Sequence, residues 1–249
     1  MKSSIKIIIV FLSVILLACS NDDDSRQNNI ALTEKEVLLK ILEVNPGNTL
    51  SWNENEDLID YDGVTLNANG NIVELNLGYK GLTILPPEIG QLSFLENLRL
   101  NGNDINSLFI EIGQLSNLKV LILYDNNLIM LPKEIGKLVN LKELNLEDNN
   151  LNILPTEIGQ LSKLEYLALY NNNLIEIPTE IGLLKNLNYL DIVRNVLVSL
   201  PQEIGQLSNL EYLYCKNDNL NSLHSSICDL EKNGNTQIDI YPNDVECYE

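Results

Sequence analysis

The sequence predicts an α/β solenoid with a curved parallel sheet on its concave side, short 3₁₀ or helical turns on its convex side, and a cap at each end. Two observations support this fold class. From Ile72 the chain repeats every 23 residues without insertion, which gives seven units over residues 72–232. Each unit carries apolar residues at the same positions. One unit cannot bury them alone, so successive units must stack around a shared core.

The unit at residues 141–163 shows the pattern most clearly, as L-K-E-L-N-L-E-D-N-N-L-N-I-L-P-T-E-I-G-Q-L-S-K. Leu144 and Leu146 form a period-two pair typical of a strand with one buried face, and later apolar residues return to the same interior. This unit resembles the leucine-rich repeat, in the 23-residue variety that carries L-P-x-E-I-G-x-L. The resemblance covers about two thirds of the chain. It implies parallel pairing between successive strands.

An asparagine recurs at the ninth position of five successive units. A buried amide has both donors and acceptors, so it can bond to the turn backbone of adjacent units. We therefore interpret the column as structural, not catalytic. Its members are Asn103, Asn126, Asn149, Asn172 and Asn195.

Proline recurs at the fifteenth position and glycine at the nineteenth, which breaks regular helix and predicts 3₁₀ or single-turn helices on the convex side. A glutamate occupies position seventeen between them. An acidic column can resemble a calcium or catalytic site, but we interpret this one as a solvated face. Its members are Glu88, Glu111, Glu134, Glu157, Glu180 and Glu203.

Open solenoid ends expose apolar core, so caps are expected at residues 33–71 and 233–249. Before the repeats, Thr33 to Glu36 forms a capping box ahead of an amphipathic helix. The dipeptide Asn69-Gly70 then predicts a hairpin. The stretch D-G-V-T-L-N-A-N-G-N-I-V-E-L-N-L is similar to the N-terminal cap of plant-type leucine-rich repeats. Trp52 is interpreted as part of the core of this cap.

At the other end the seventh unit departs from the pattern, and residues 237–241 can add a last strand. Cys228 and Cys247 are candidates for a disulfide that ties this cap together, while Cys215 replaces an inward leucine and would be a buried thiol. The sequence alone does not fix the pairing.

The N-terminus predicts a secreted lipoprotein. Residues 1–18 have the charged start and short apolar run of a signal peptide; its twelve-residue apolar stretch rises about 18 Å as a helix, too little to span a hydrocarbon core of about 30 Å. The ending L-L-A-C resembles the lipobox of bacterial lipoproteins, which implies lipid modification of Cys19. Residues 19–32 would form an acidic tether, similar to the export signal of Bacteroidota surface lipoproteins. We expect an outer-membrane protein at the cell surface.

Composition excludes several classes of function. The chain has 16 Lys and Arg against 35 Asp and Glu, a formal charge of −19, which opposes binding to nucleic acid and to anionic headgroups. The lipid anchor is therefore the expected membrane contact. With one histidine, four cysteines and no C-x-x-C, the chain lacks most zinc frameworks and histidine-based triads. We predict no enzyme activity, cofactor or metal.

The predicted ligand-binding surface is the concave face, where positions three, five, seven and eight of each unit point outward. Seven of the ten tyrosines occupy these positions, and tyrosine is enriched at recognition hot spots. It also simply suits strand surfaces. Small Ala168 is expected to leave room beside the cluster. The candidate residues are Tyr124, Tyr166, Tyr170, Tyr189, Asp191, Tyr212 and Tyr214.

The partner predicted from this surface and from the resemblance is a protein. Carbohydrate is the alternative, since tyrosine faces with nearby Asn and Asp also suit sugars. The sequence encodes no identity for the ligand.

Overall fold

The computed structural model describes residues 31–216, 219–220, 222–232, 236–239 and 246–248. The predicted signal peptide, the lipidation site at Cys19 and nearly all of the predicted tether lie outside the described residues. None of the helices that are described is long and apolar enough to cross a membrane.

The N-terminal cap contains the predicted helix and hairpin. Helix α1 (Glu34–Val44) begins with both halves of the capping box between Thr33 and Glu36. It buries one apolar face against the first repeat. Strands β1 (Val64–Leu66) and β2 (Ile72–Asn76) pair antiparallel. Trp52 is buried and stacks on Tyr61 at 5.2 Å between ring centroids.

Seven parallel strands form the array, one in each predicted unit, and residues 23 apart lie opposite each other throughout. An insertion-free repeat gives this constant register, because every coil has the same length. The strands after β2 are β3 (Asn97–Arg99), β4 (Val120–Ile122), β5 (Glu143–Asn145), β6 (Tyr166–Ala168), β7 (Tyr189–Asp191) and β8 (Tyr212–Tyr214). The predicted fold class is confirmed.

Short 3₁₀ helices return the chain along the convex side, as predicted. Most begin directly after a proline, whose fixed φ and missing N–H suit the start of a helical turn. They span Pro87–Gln91, Ile110–Gln114, Lys133–Lys137, Thr156–Gln160, Thr179–Leu183 and Gln202–Gln206.

The glutamates on these turns are half-buried, so the expectation of a fully solvated column needs correction. The reason is the glycine two residues further on in each coil. Gly136 lacks a side chain where Glu157 of the next coil packs, and the same relation joins Gly113 to Glu134. Within the described residues, no group of three or more His, Cys, Asp or Glu is placed to hold a metal ion.

The asparagine column is buried and bonds as predicted. Asn149 donates through Nδ2 to the carbonyl oxygens of Leu123 (2.9 Å), Leu146 (3.1 Å) and Glu147 (3.0 Å). Its Oδ1 accepts from the backbone N–H of Leu128 at 3.0 Å. One side chain thereby joins two adjacent coils at their turns.

The C-terminal cap differs from the repeats. Strand β9 (Ser222–His224) and helix α2 (Ser225–Lys232) replace the usual 3₁₀ turn. The proline and glycine of the pattern are His224 and Cys228 here, so neither interrupts the helix. Strand β10 (Gln237–Asp239) extends the sheet beside β8, within the segment predicted to add a strand.

A second, two-stranded sheet completes this cap and is not among the elements predicted from the sequence. Strand β11 (Glu246–Tyr248) pairs in parallel with β9. Cys228 and Cys247 form a disulfide that connects α2 to β11. Cys215 is fully buried among the inward residues of the array.

Candidate ligand-binding surface on the concave face

The outward side chains of the last three repeat strands form an aromatic surface. Leu167, Leu190 and Leu213 lie inside the core, so the alternation of a strand turns their neighbours outward. Parallel pairing then places Tyr166 opposite Tyr189, and Tyr189 opposite Tyr212. The register predicted from the repeat is confirmed.

These rings contact one another in what we call the tyrosine ladder, made of Tyr166, Tyr189, Tyr212 and Tyr214. Tyr166 and Tyr189 stack nearly parallel, with ring centroids 4.3 Å apart. Tyr189 also lies 6.3 Å from Tyr212 and 5.5 Å from Tyr214, both tilted. The rings of Tyr212 and Tyr214 are parallel at 6.3 Å. Tyr189 is therefore the central ring of a connected cluster.

The ladder is partly shielded in the free protein. Burial raises the pKa of Tyr189, and the nearby Tyr166 and Asp191 raise it further. Tyr212 is the most exposed ring of the ladder, at 40%. Ala168 is fully buried, so the expectation that it leaves open space beside the cluster is wrong. The neighbouring side chains cover the alanine.

Tyr170 follows β6 by two residues, outside the ladder, and a cation of this chain covers one face of its ring. The guanidinium of Arg194 sits over the Tyr170 ring at 5.3 Å from its centroid, which is a cation–π distance. Aromatic faces on this surface can thus accept a positively charged group.

Carboxylates border the ladder. Burial raises the pKa of the half-buried Glu147; a hydrogen bond from Asn145 partly offsets that effect, and Asp191 and Asp148 add to it. The pKa of Tyr166 is also raised, first by burial and then by Glu147. Glu147 and Asp191 both raise the pKa of Tyr166, and Asp191 lies opposite Tyr214 in the register of β7 and β8. Sequence reasoning included Asp191 in the site but missed Glu147.

Tyr124 belongs to a separate aromatic group two strands away from the ladder, on the N-terminal side of the array. Its hydroxyl shares a 3.4 Å hydrogen bond with the hydroxyl of Tyr79 and accepts one from Asn101 Nδ2 at 3.0 Å. Gly102 lies beneath Tyr79, where a Cβ would be 2.1 Å from the ring. Tyr79 and Gly102 are 23 residues apart, so the repeat predicts that they lie next to each other in adjacent coils.

An open groove of about 910 Å³ adjoins Tyr212 where the last strands begin. Its lining is predominantly polar and includes three glutamates. The described residues around it are Glu165, Asn186, Asn188, Ser208, Asn209, Leu210, Glu211, Tyr212, Glu231, Thr236 and Gln237. Glu165 is paired with Lys142 at 2.8 Å.

Comparison with protein families decides the identity of the repeat. Residues 60–150 and 152–232 match the model of a leucine-rich repeat region, and residues 140–161 match that of a single Leucine Rich Repeat. The chain belongs to the leucine-rich-repeat family. This fold is commonly a protein-interaction scaffold.

Solved leucine-rich-repeat structures share the fold. A leucine-rich-repeat protein of Leptospira interrogans is 34% identical over 76% of this chain and 57% of its own, with a TM-score of 0.54. The ectodomain of the Arabidopsis receptor kinase HAESA, in complex with an IDA peptide hormone, is 26% identical over 83% of this chain and 40% of its own, with a TM-score of 0.65.

A third similar structure is the ectodomain of the Arabidopsis receptor kinase GASSHO1/SCHENGEN3 in complex with CASPARIAN STRIP INTEGRITY FACTOR 2. It is 26% identical over 84% of this chain and 29% of its own, with a TM-score of 0.60. This leucine-rich-repeat chain thus spans less than two thirds of the length of these three proteins. Curated protein sequences gave no match. The similar structures are mainly receptor ectodomains and binding scaffolds, consistent with a protein that is not an enzyme.

Proposed function

We propose that this leucine-rich-repeat protein is a non-catalytic surface lipoprotein that binds a protein partner through the concave face of its arc. The observation that supports this most is the tyrosine ladder, a connected set of partly exposed rings on the outer side of strands β6 to β8. Tyrosine combines a large apolar area with a hydroxyl group and loses little conformational entropy on binding.

The stacking within the ladder adds to this argument. Tyr189 is held between Tyr166 and the pair Tyr212 and Tyr214, so its conformation is already restricted before any partner arrives. A preorganised surface avoids part of the ordering cost of association. The two Arabidopsis ectodomains described above also form complexes with a peptide hormone or a protein factor.

Carbohydrate is the second candidate ligand. Asn145 and Asp191 lie on the same face as the ladder and offer hydrogen-bonding groups beside aromatic rings. A glycan array, run beside a pull-down from the medium that surrounds the cells, separates the two classes. Glycan binding with no captured protein would favour the second candidate.

Truncation of the central ring tests the assignment to the concave face. We expect Tyr189→Ala to cost about 2 kcal/mol or more of binding free energy for the captured partner, because the variant removes the ring that contacts three others. Isothermal titration with each variant measures this. Tyr189 is half-buried, so the free energy of unfolding is measured in parallel to separate lost binding from lost folding.

Glu157→Ala on the convex side is the control, and it should leave affinity unchanged. If Tyr189→Ala binds like the unaltered protein, the concave assignment is wrong and the tyrosines serve only as strand formers.

The proposed localisation depends on lipid modification of Cys19, which the sequence L-L-A-C supports. We expect Cys19→Ser to move the protein from the detergent phase to the aqueous phase, since several acyl chains anchor far more firmly than an acidic protein surface can. Phase partitioning of whole-cell extracts measures this. Unchanged partitioning of the serine variant would refute the anchor.

A further inference from the structure

The tyrosine ladder lies in an acidic setting. Asp191 lies opposite Tyr214 in the register of β7 and β8, and Glu147 follows β5, the strand that pairs with β6. Both carboxylates also raise the pKa of Tyr166. At the other end, Tyr212 adjoins the groove that Glu211 and Glu231 also line. No lysine or arginine is among the described residues that line this groove. Both ends of the aromatic surface therefore favour a positively charged ligand.

The aromatic rings favour the same charge. The face of a tyrosine ring is electronegative and attracts ammonium or guanidinium groups. Arg194 over Tyr170 is an instance within this molecule, in the same repeat as Tyr166. A carboxylate from a partner would instead meet like charges at Glu147 and Asp191, so an acidic partner is disfavoured.

We propose that the partner presents a basic, extended peptide segment, with an arginine or lysine side chain against the tyrosine ladder and its charge facing Glu147 and Asp191. This inference rests on the proposed function, because it specifies the chemistry of the partner that the concave face binds. Further basic residues of the segment extend to the groove beside Tyr212, toward Glu211 and Glu231. Charge complementarity then fixes the direction of approach.

Two synthetic peptides test the charge requirement. One is a short glycine–serine peptide with arginines at alternate positions; the other has citrulline at those positions, which keeps the planar shape and removes the charge. We expect the arginine peptide to bind the full chain about tenfold more tightly at low ionic strength, measured by fluorescence anisotropy. Equal binding of the two peptides would overturn the proposal.

A matched pair of variants tests the location, because the formal charge of −19 attracts any basic peptide. Glu147→Gln should weaken binding of the arginine peptide about fivefold or more, whereas Glu157→Gln, which removes one charge from the convex side, should change it less than about twofold. Equal effects of the two variants would show attraction by net charge alone and overturn the proposal.

A third variant keeps the test independent of the folding of Glu147→Gln. Tyr212→Ala truncates the most exposed ring of the ladder and should also weaken the arginine peptide about fivefold, with no comparable change for the citrulline peptide. The captured partner distinguishes failure of the basic-segment proposal from failure of the proposed function. If Tyr189→Ala weakens its binding but Glu147→Gln does not, the basic segment is refuted and concave binding stands. If neither Tyr189→Ala nor Glu147→Gln changes the affinity for the captured partner, the concave site is refuted as well.

Discussion

Asn149→Ala is expected to lower the free energy of unfolding by about 1 to 3 kcal/mol, although the side chain touches no ligand surface. The amide donates to three backbone carbonyls, one of them Leu123 in the preceding coil, and accepts from the backbone N–H of Leu128. Asn149 is only 7% exposed, so water has little access to replace these hydrogen bonds. Alanine would leave several buried backbone groups without partners.

The adjacent Asn150 provides a matched control. Its side chain is exposed, and its backbone N–H donates to the carbonyl of Leu128, a bond that alanine retains. Asn150→Ala should therefore change stability by less than about 0.5 kcal/mol. Urea denaturation followed by circular dichroism compares the two variants. Equal stability would contradict the structural role of the column.

The repeated part of the fold was predictable because the signal is periodic. A strand of three residues is too short to be identified from the β propensity of its residues. The same apolar spacing occurs seven times, however, and this repetition identifies the strands. Stacking couples the coils, so the position of one strand gives the position of all. The C-terminal cap has no such repetition. Helix α2 and the pairing of β9 with β11 each occur once, and they depend on long-range contacts that a local pattern does not contain.

The sequence predicted which face of the sheet carries the candidate site, but it predicted few of the contacts between the side chains there. Alternation along a strand predicts that Tyr166 and Tyr189 point outward, and the 23-residue spacing pairs them. A repeat position gives the direction of each side chain but not its contacts with other side chains. The mutual shielding of the rings and the burial of Ala168 beneath its neighbours were therefore not predicted. The raised pKa of Glu147 likewise depends on burial and on Asp191, which lies two repeats further along the chain.

The second large effect is expected on the convex side, where Gly136→Ala should destabilise the protein by about 1 to 3 kcal/mol. A Cβ at this position would lie 2.6 Å from the carbonyl oxygen of Glu157 and 2.8 Å from its Cβ, both in the next coil. The carbonyl is backbone, so it cannot rotate away like the end of a flexible side chain. The two coils would have to separate, which weakens the stacking that closes the core.

Gly47→Ala is the control for this experiment, and its effect should have the opposite sign. Gly47 has no heavy atom within 4 Å of the position that a Cβ would take. Alanine there restricts the unfolded chain without straining the native one and should stabilise the protein by about 0.4 to 1 kcal/mol. Urea denaturation of both variants gives the two values. Because stability in a repeat array is carried by contacts between neighbouring coils, a Gly136→Ala variant as stable as the unaltered protein would show that the convex turns are not the close contact between coils.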